Sequence, residues 1–248
     1  MSDAFATLSK AGTVLRRELA SLLRTPSGWA IAAAVLFVDG LLFNAFAVGT
    51  GAKTSTKVLE DFYYFAAGTT MIASILLAMR TLAEERARGT MPLLLSAPAS
   101  ETAIVLGKYG ASLIFLAGLV VATLYMPALI FVHGKVSLGH IAAGSLGLCL
   151  LGGTTLALGT LASALARSQL VAGVLGSAFV VILLLAWLLA KVSAPPLDSL
   201  LRHFALFETH FRPLQRGVLR LSDVVFFLSV AGLALGTAAR VLAWQRAR

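Results

Sequence analysis

Apolar side chains gather into six runs, Gly28–Val48, Phe62–Met79, Tyr109–Val132, His140–Leu161, Leu170–Ala190 and Ser222–Val241. Each is close to the ~20 residues that a membrane-crossing helix needs. Backbone N–H and C=O groups find no water in hydrocarbon, so each run is predicted to satisfy its own hydrogen bonds as a helix. The polar stretches between the runs carry no repeat and nothing of low complexity. The expected fold class is all-α: a polytopic membrane protein with six transmembrane helices forming one domain over residues 1–248.

Ahead of the first run the pattern changes. Lys10, Arg17 and Arg24 recur every seven residues, and Leu8, Leu15 and Leu22 do so two positions earlier, on the opposite face of a helix. Residues 3–25 are therefore predicted to form an amphipathic helix in the membrane interface. Thr25-Pro26-Ser27 breaks it before the first span turns inward. It serves either as a topogenic anchor or as an elbow helix that also touches a cytoplasmic partner, with Lys10, Arg17, Glu18 and Arg24 as its polar contacts. Charge alternates with leucine here and no continuous apolar region precedes a cleavage site, so the segment does not read as a signal peptide.

The second and third runs are joined by "AEERARGTMPLLLSAPASETAIVLGK", Ala83 to Lys108. Glu84 and Arg88 stand at i,i+4, which supports a second span running on as helix into water. Gly89 supplies a stop, Thr90 a cap for a new helix, and Pro92 fits that helix's first turn. Met91, Leu93, Leu94 and Leu95 make it apolar, and Ala97-Pro98 ends it. Ser100 then caps the helix leading into the third span, with Lys108 at the interface. A helix of one or two turns is not stable alone, so this one must pack on lipid, on its own protein or on a second protein.

Composition agrees with a membrane setting. The chain has 248 residues, 58% hydrophobic and 12% charged, against about a quarter charged in soluble domains. Its net charge of +9 reads as basic flanks held near anionic lipid rather than as a nucleic-acid surface. Twelve Lys and Arg fall on the side holding both termini and eight on the other, which places the termini in the cytoplasm. A lone Cys149 within an apolar run rules out an internal disulfide.

"EERARGT", a leucine-rich patch, "APAS" and "IVLGK" together resemble the cytoplasmic loop of type-2 ABC exporter permeases. "RRELASLLRTPSGW" resembles the elbow-helix opening of that class. "HFALF" and "RGVLRLSDVVFFLSV" are similar to the last loop and sixth span of its gliding-motility and nitrous-oxide-reductase-maturation branches. The resemblance implies a permease subunit of an ATP-driven exporter in a prokaryotic inner membrane, converting ATPase closure into alternating access. It implies two cytoplasmic ATPase subunits, which would hold the ATP and Mg, and a second permease copy or a related permease. Membrane lipid and an outer-side accessory protein complete the expected partners. Carried over by position, Met91–Ala97 would be the coupling helix seated in the ATPase, flanked by Glu84, Glu85, Arg86 and Arg88. Residues 194–221 would hold short outer helices between the fifth and sixth spans.

The chain encodes no G-x-x-x-x-G-K-[ST] phosphate cradle, so ATP chemistry is expected on another subunit and no cofactor or catalytic residue in this one. Asp39, mid-span, with Asn44 five residues on, either lines the path or subunit interface or is a locally paired or protonated group that only orients its helix. Gly152-Gly153-Thr154-Thr155 and Gly232-x-x-x-Gly236 permit close helix packing. His133, His140, His203 and His210 fall on the outer side. On one helix, the seven-residue spacing of the last two would put their rings about 10 Å apart, so no metal site is expected. Two other classes remain: a polytopic enzyme acting on lipid, and a mechanotransducing or scaffold subunit that uses the ATPase without moving a solute.

Overall fold

Six helices are long and apolar enough to cross a membrane: Pro26–Val48, Ser55–Ala78, Glu101–Ile130, Leu138–Leu165, Gln169–Val192 and Leu221–Arg246. The computed structural model describes residues 2–49, 53–96, 99–133 and 136–247, with residues 2–6, 8, 95 and 131–133 described by backbone alone. Among these residues all regular structure is helical. The expected stop at Ala97-Pro98, Lys135, Arg248, and the side chains of Leu8, Leu95 and His133 lie outside the described residues.

In chain order the helices are α1 (Ser2–Arg24), α2 (Pro26–Leu42, ending in a π-helical turn Phe43–Val48), α3 (Ser55–Ala78), α4 (Ala83–Ala87), α5 (Met91–Ser96) and α6 (Glu101–Thr123). There follow α7 (Tyr125–His133), α8 (Leu138–Leu165), α9 (Gln169–Val192), α10 (Leu197–Phe204), a π-helical turn Leu206–Phe211, α11 (Arg212–Gln215) and α12 (Leu221–Arg246). Several helices outrun their apolar runs because polar caps lie beyond them. Thr54 Oγ1 accepts from the Lys57 N–H at 3.4 Å, Ser100 Oγ from Ala103 at 3.3 Å and Ser168 Oγ from Val171 at 3.3 Å.

α8 is the hub, packed on α3, α6, α9 and α12. Small residues let its neighbours come close. A Cβ at Gly152 would meet Leu116 Cδ2 at 2.6 Å, and one at Gly144 would meet the Tyr63 ring at 2.3 Å. Thr154 Oγ1 donates to the Phe227 carbonyl of α12 at 3.0 Å. The second small-residue patch departs from expectation. A Cβ at Gly232 or Gly236 would meet nothing within 4 Å among the described residues of this chain, because α12 turns Phe227, Ala231, Ala234 and Ala238 inward instead. α2 and α9 are the least covered spans, so most of their surface is left to lipid or another chain.

Two connections also depart from expectation. The second span does not continue straight into α4. The N–H groups of Leu82 and Ala83 go to Ser163 Oγ of α8, at 3.1 and 2.9 Å, so a turn replaces the helix after Ala78. The third span pauses at Leu124, because Pro127 has no N–H for the carbonyl of Thr123.

One end of the bundle gathers both termini, α4, α5 and the turn before α9. Arg246 Nη1 lies 2.8 Å from Glu101 Oε1, and Leu82, Met91, Ile104 and Leu242 share one cluster. The opposite end is closed by α10, α11 and the turn between them. There, His140 Nε2 lies 2.7 Å from the Gln215 carbonyl, and Gln215 Nε2 donates to the Glu60 carbonyl at 2.8 Å.

Candidate functional site

At the terminal end, α1 lays its apolar side on α6. A Cβ at Gly107 would stand 2.7 Å from Val14 Cβ and 2.8 Å from the Ala11 carbonyl, so glycine is required for this approach. The helix thus rests on protein, and Lys10, Arg17 and Arg24 stay exposed on its other side.

Lys108, expected at the interface, lies two turns inside α6 and only 3% exposed. Its Nζ donates to Glu18 Oε1 of α1 at 2.7 Å and to Glu85 Oε1 of α4 at 2.9 Å. The Thr90 hydroxyl also donates to the Glu85 carboxylate, turning back from the start of α5 rather than capping it. Burial alone would push the Glu85 carboxyl up. Thr90, Lys108 and Arg17 outweigh that and hold it below the ordinary carboxylate range.

Glu84 pairs with Arg80 at 3.0 Å and with Arg88, as the i,i+4 spacing suggests. Arg86 turns the other way. Its Nη2 donates to the Ala164 carbonyl and to Gln245 Oε1, both at 2.6 Å. Its Nη1 donates to the Ser163 carbonyl at 3.3 Å and to the Ala166 carbonyl. Of the four charged residues expected to flank a docking helix, Arg88 alone is exposed; Glu84, Glu85 and Arg86 are partly buried and bonded within the chain.

Gly89 has φ +71°, a left-handed conformation that ends α4 and lets the chain reverse into α5. α5 divides its apolar residues. Met91 is buried, and Leu94 packs against the cluster of Leu82, Ile104 and Leu242. Leu93 is 73% exposed. Beneath α5 lies a cavity of about 380 Å³ between α1, α4 and α6, lined by Arg17, Glu84, Glu85, Arg88 and Lys108 among others.

Within the membrane, Asp39 and Asn44 are not brought together. Asp39 is 3% exposed and accepts from Thr69 Oγ1 at 2.5 Å, facing α3, while Asn44 is exposed. The Thr69 hydroxyl has a second acceptor, the Ala66 carbonyl at 3.0 Å, so removing the carboxylate strands no donor. Asp39→Leu is therefore expected to melt no lower than the native protein in thermal unfolding. A clear fall in melting temperature would show that the carboxylate stabilises the helix pair.

At the opposite end, the histidine geometry differs from the sequence expectation. α10 stops at Phe204 and Ala205 is extended, so His203 and His210 occupy different elements, with ring centroids 5.8 Å apart. His210 is buried and stacked on Phe226 at 3.7 Å. Its Nδ1 lies 2.9 Å from Asp223 Oδ1 and its Nε2 2.9 Å from the His203 carbonyl. Among the described residues, no group of three or more His, Cys, Asp or Glu could hold a metal.

Sequence reasoning missed Ser163, Gln245 and Asp223. Lys108 carried a signal, a charge set inside a helix that must cross the membrane, and Asp223 a weaker one, an acid in the first turn of α12. Ser163 and Gln245 carried none.

The family model described as ABC-2 type transporter matches residues 10–186, which takes in α1 from Lys10 onward and most of the membrane spans. No curated protein matches the chain.

Proposed function

We infer the function from one premise: this chain belongs to the ABC-2 type transporter family. It is a multi-pass membrane protein and the permease component of an ABC transporter. Membership implies an ABC ATPase as partner and a second permease as the usual companion.

Beyond that, we propose an exporter subunit of a prokaryotic inner membrane, with both termini, α4 and α5 in the cytoplasm. Two ATPase subunits, holding ATP and Mg, dock on α5 and drive alternating access. The similarities at the sixth span favour the gliding-motility and nitrous-oxide-reductase-maturation branch. One observation carries the docking assignment. α5 leaves Leu93 exposed beside the cavity it helps to line, while the preceding α4 is bonded to α6, α8 and α12 and, through Lys108, to α1. An apolar anchor on a firmly tied base suits a docking surface that must pass on force. A lipid-acting enzyme would need an acid and a base open to substrate, whereas the His210–Asp223 pair is buried.

Two measurements test this reading. Purification from native membranes in mild detergent is expected to bring down an ABC ATPase. Single cysteines at the exposed positions 88 and 202, with Cys149 replaced by serine, should label from opposite sides. Labelling of position 88 by an impermeant reagent in intact cells would reverse the orientation and remove α5 from the ATPase side.

A further inference from the structure

We propose that Arg86 is a positioning residue: it clamps α4 to the ends of α8 and α12, so that a push on α4–α5 moves those helices, and it takes no part in docking itself. The role in transmission rests on the ATPase reading above; the clamp does not.

The geometry is a reciprocal cap. The last turn of α8 ends with carbonyls that have no partner in their own helix. The Arg86 fork fills the Ser163 and Ala164 carbonyls of that turn and the Ala166 carbonyl just beyond it. A cation also suits the negative end of α8. In return, Ser163 Oγ accepts the N–H groups of Leu82 and Ala83 at the start of α4. Each helix end completes the other. Gln245 joins α12 to the joint by accepting from Arg86 at 2.6 Å while donating to the Ala164 carbonyl at 3.2 Å.

The neighbouring residue points elsewhere. Glu85 reaches Lys108, and through it Glu18. Successive residues are about 100° apart around a helix, so a five-residue element is tied to α1 and α6 on one side and to α8 and α12 on the other. A guanidinium suits the second tie because its planar donors reach several carbonyls at once, which an ammonium cannot. Arg86 is thus committed within the chain, whereas Leu93 and Arg88, the latter paired with Glu84, are exposed where a partner's surface can reach them.

The full-length chain in nanodiscs gives the first measurement, amide hydrogen exchange of Arg86→Gln without any ATPase. Exchange is expected to rise about tenfold or more at residues 82–88, 163–168 and 244–246 together, with α1 and α6 unchanged. A rise confined to 82–88 would overturn the clamp. Arg86→Lys, which keeps the charge and loses the fork, is expected to behave like Arg86→Gln.

The second measurement adds the co-purified ATPase. Its affinity for Arg86→Gln is expected to stay within about twofold of native, while stimulation of ATP turnover by the chain falls about tenfold or more. A parallel loss of affinity would make Arg86 a docking residue, and unchanged stimulation would remove its role in transmission. If the native chain captures no ATPase, the partner reading fails, and the clamp stands or falls on the exchange data.

Discussion

Lys108→Met is expected to loosen the whole terminal end of the bundle. Methionine matches the length and apolar stem of lysine, so packing is nearly conserved, but the ammonium that separates two carboxylates is gone. Glu18 and Glu85 would then face each other, both partly buried, with no cation between them. Breaking a buried ion pair by removing one partner costs about 3–5 kcal/mol, and the partial exposure of both acids points to the low end. Thermal unfolding in nanodiscs should show a clear drop. Restoring neutrality with Glu18→Gln and Glu85→Gln in the same chain should recover most of it, because neutral amides need no counter-charge. An unchanged melting temperature for Lys108→Met would mean that the three groups contribute no net stability.

The same network sets an acid limit. Because the Glu85 carboxyl is held below its ordinary range, its stabilisation is full at neutral pH. The stabilisation is lost as pH falls below about 4, through the native-state value. Melting temperatures of the native chain should be flat from neutrality down to that region and then fall. Glu85→Gln should lower the neutral value and flatten the acid slope.

The second large effect is expected at α5. Leu93→Glu puts a charge where a desolvated docking contact is proposed, and an unpaired buried charge costs several kcal/mol. At 1.4 kcal/mol per tenfold, affinity for the ATPase should fall by about two orders of magnitude. Leu93 is exposed in the isolated chain, so expression, extraction and melting temperature should stay native. Leu94→Glu is the contrasting variant. Leu94 packs against the chain's own cluster that includes Leu82, Ile104 and Leu242, so it should lower stability whether or not a partner binds. Arg88→Glu, at the rim, should weaken binding less and in a salt-dependent way. ATPase capture by Leu93→Glu at native strength would move the docking surface elsewhere, with the exposed basic face of α1 the next candidate.

The six spans, the amphipathic α1, the break before Pro26, the stop at Gly89 and the cap at Ser100 were legible without a structure. Each follows from interactions within a few residues along the chain, or from the demand of lipid that a backbone bond to itself. What the sequence could not give is which polar group meets which. Lys108 meets Glu18 across 90 residues, Arg86 meets Gln245 across 159, and Ser163 meets Leu82 across 81. The pattern "EERARG" reads as a solvated run, and only the approach of α8 and α12 turns Arg86 inward while Arg88 stays out. The patch "MPLLL" offers three leucines alike, and only packing against the cluster that holds Ile104 and Leu242 separates Leu94 from Leu93. His203 and His210 sit seven apart in either view, yet the stop at Phe204 places their rings far closer than one helix would. Local periodicity determines where helices form and which broad face is apolar. Which side chains become partners is decided by how distant helices pack, a long-range matter on which residue spacing carries no information.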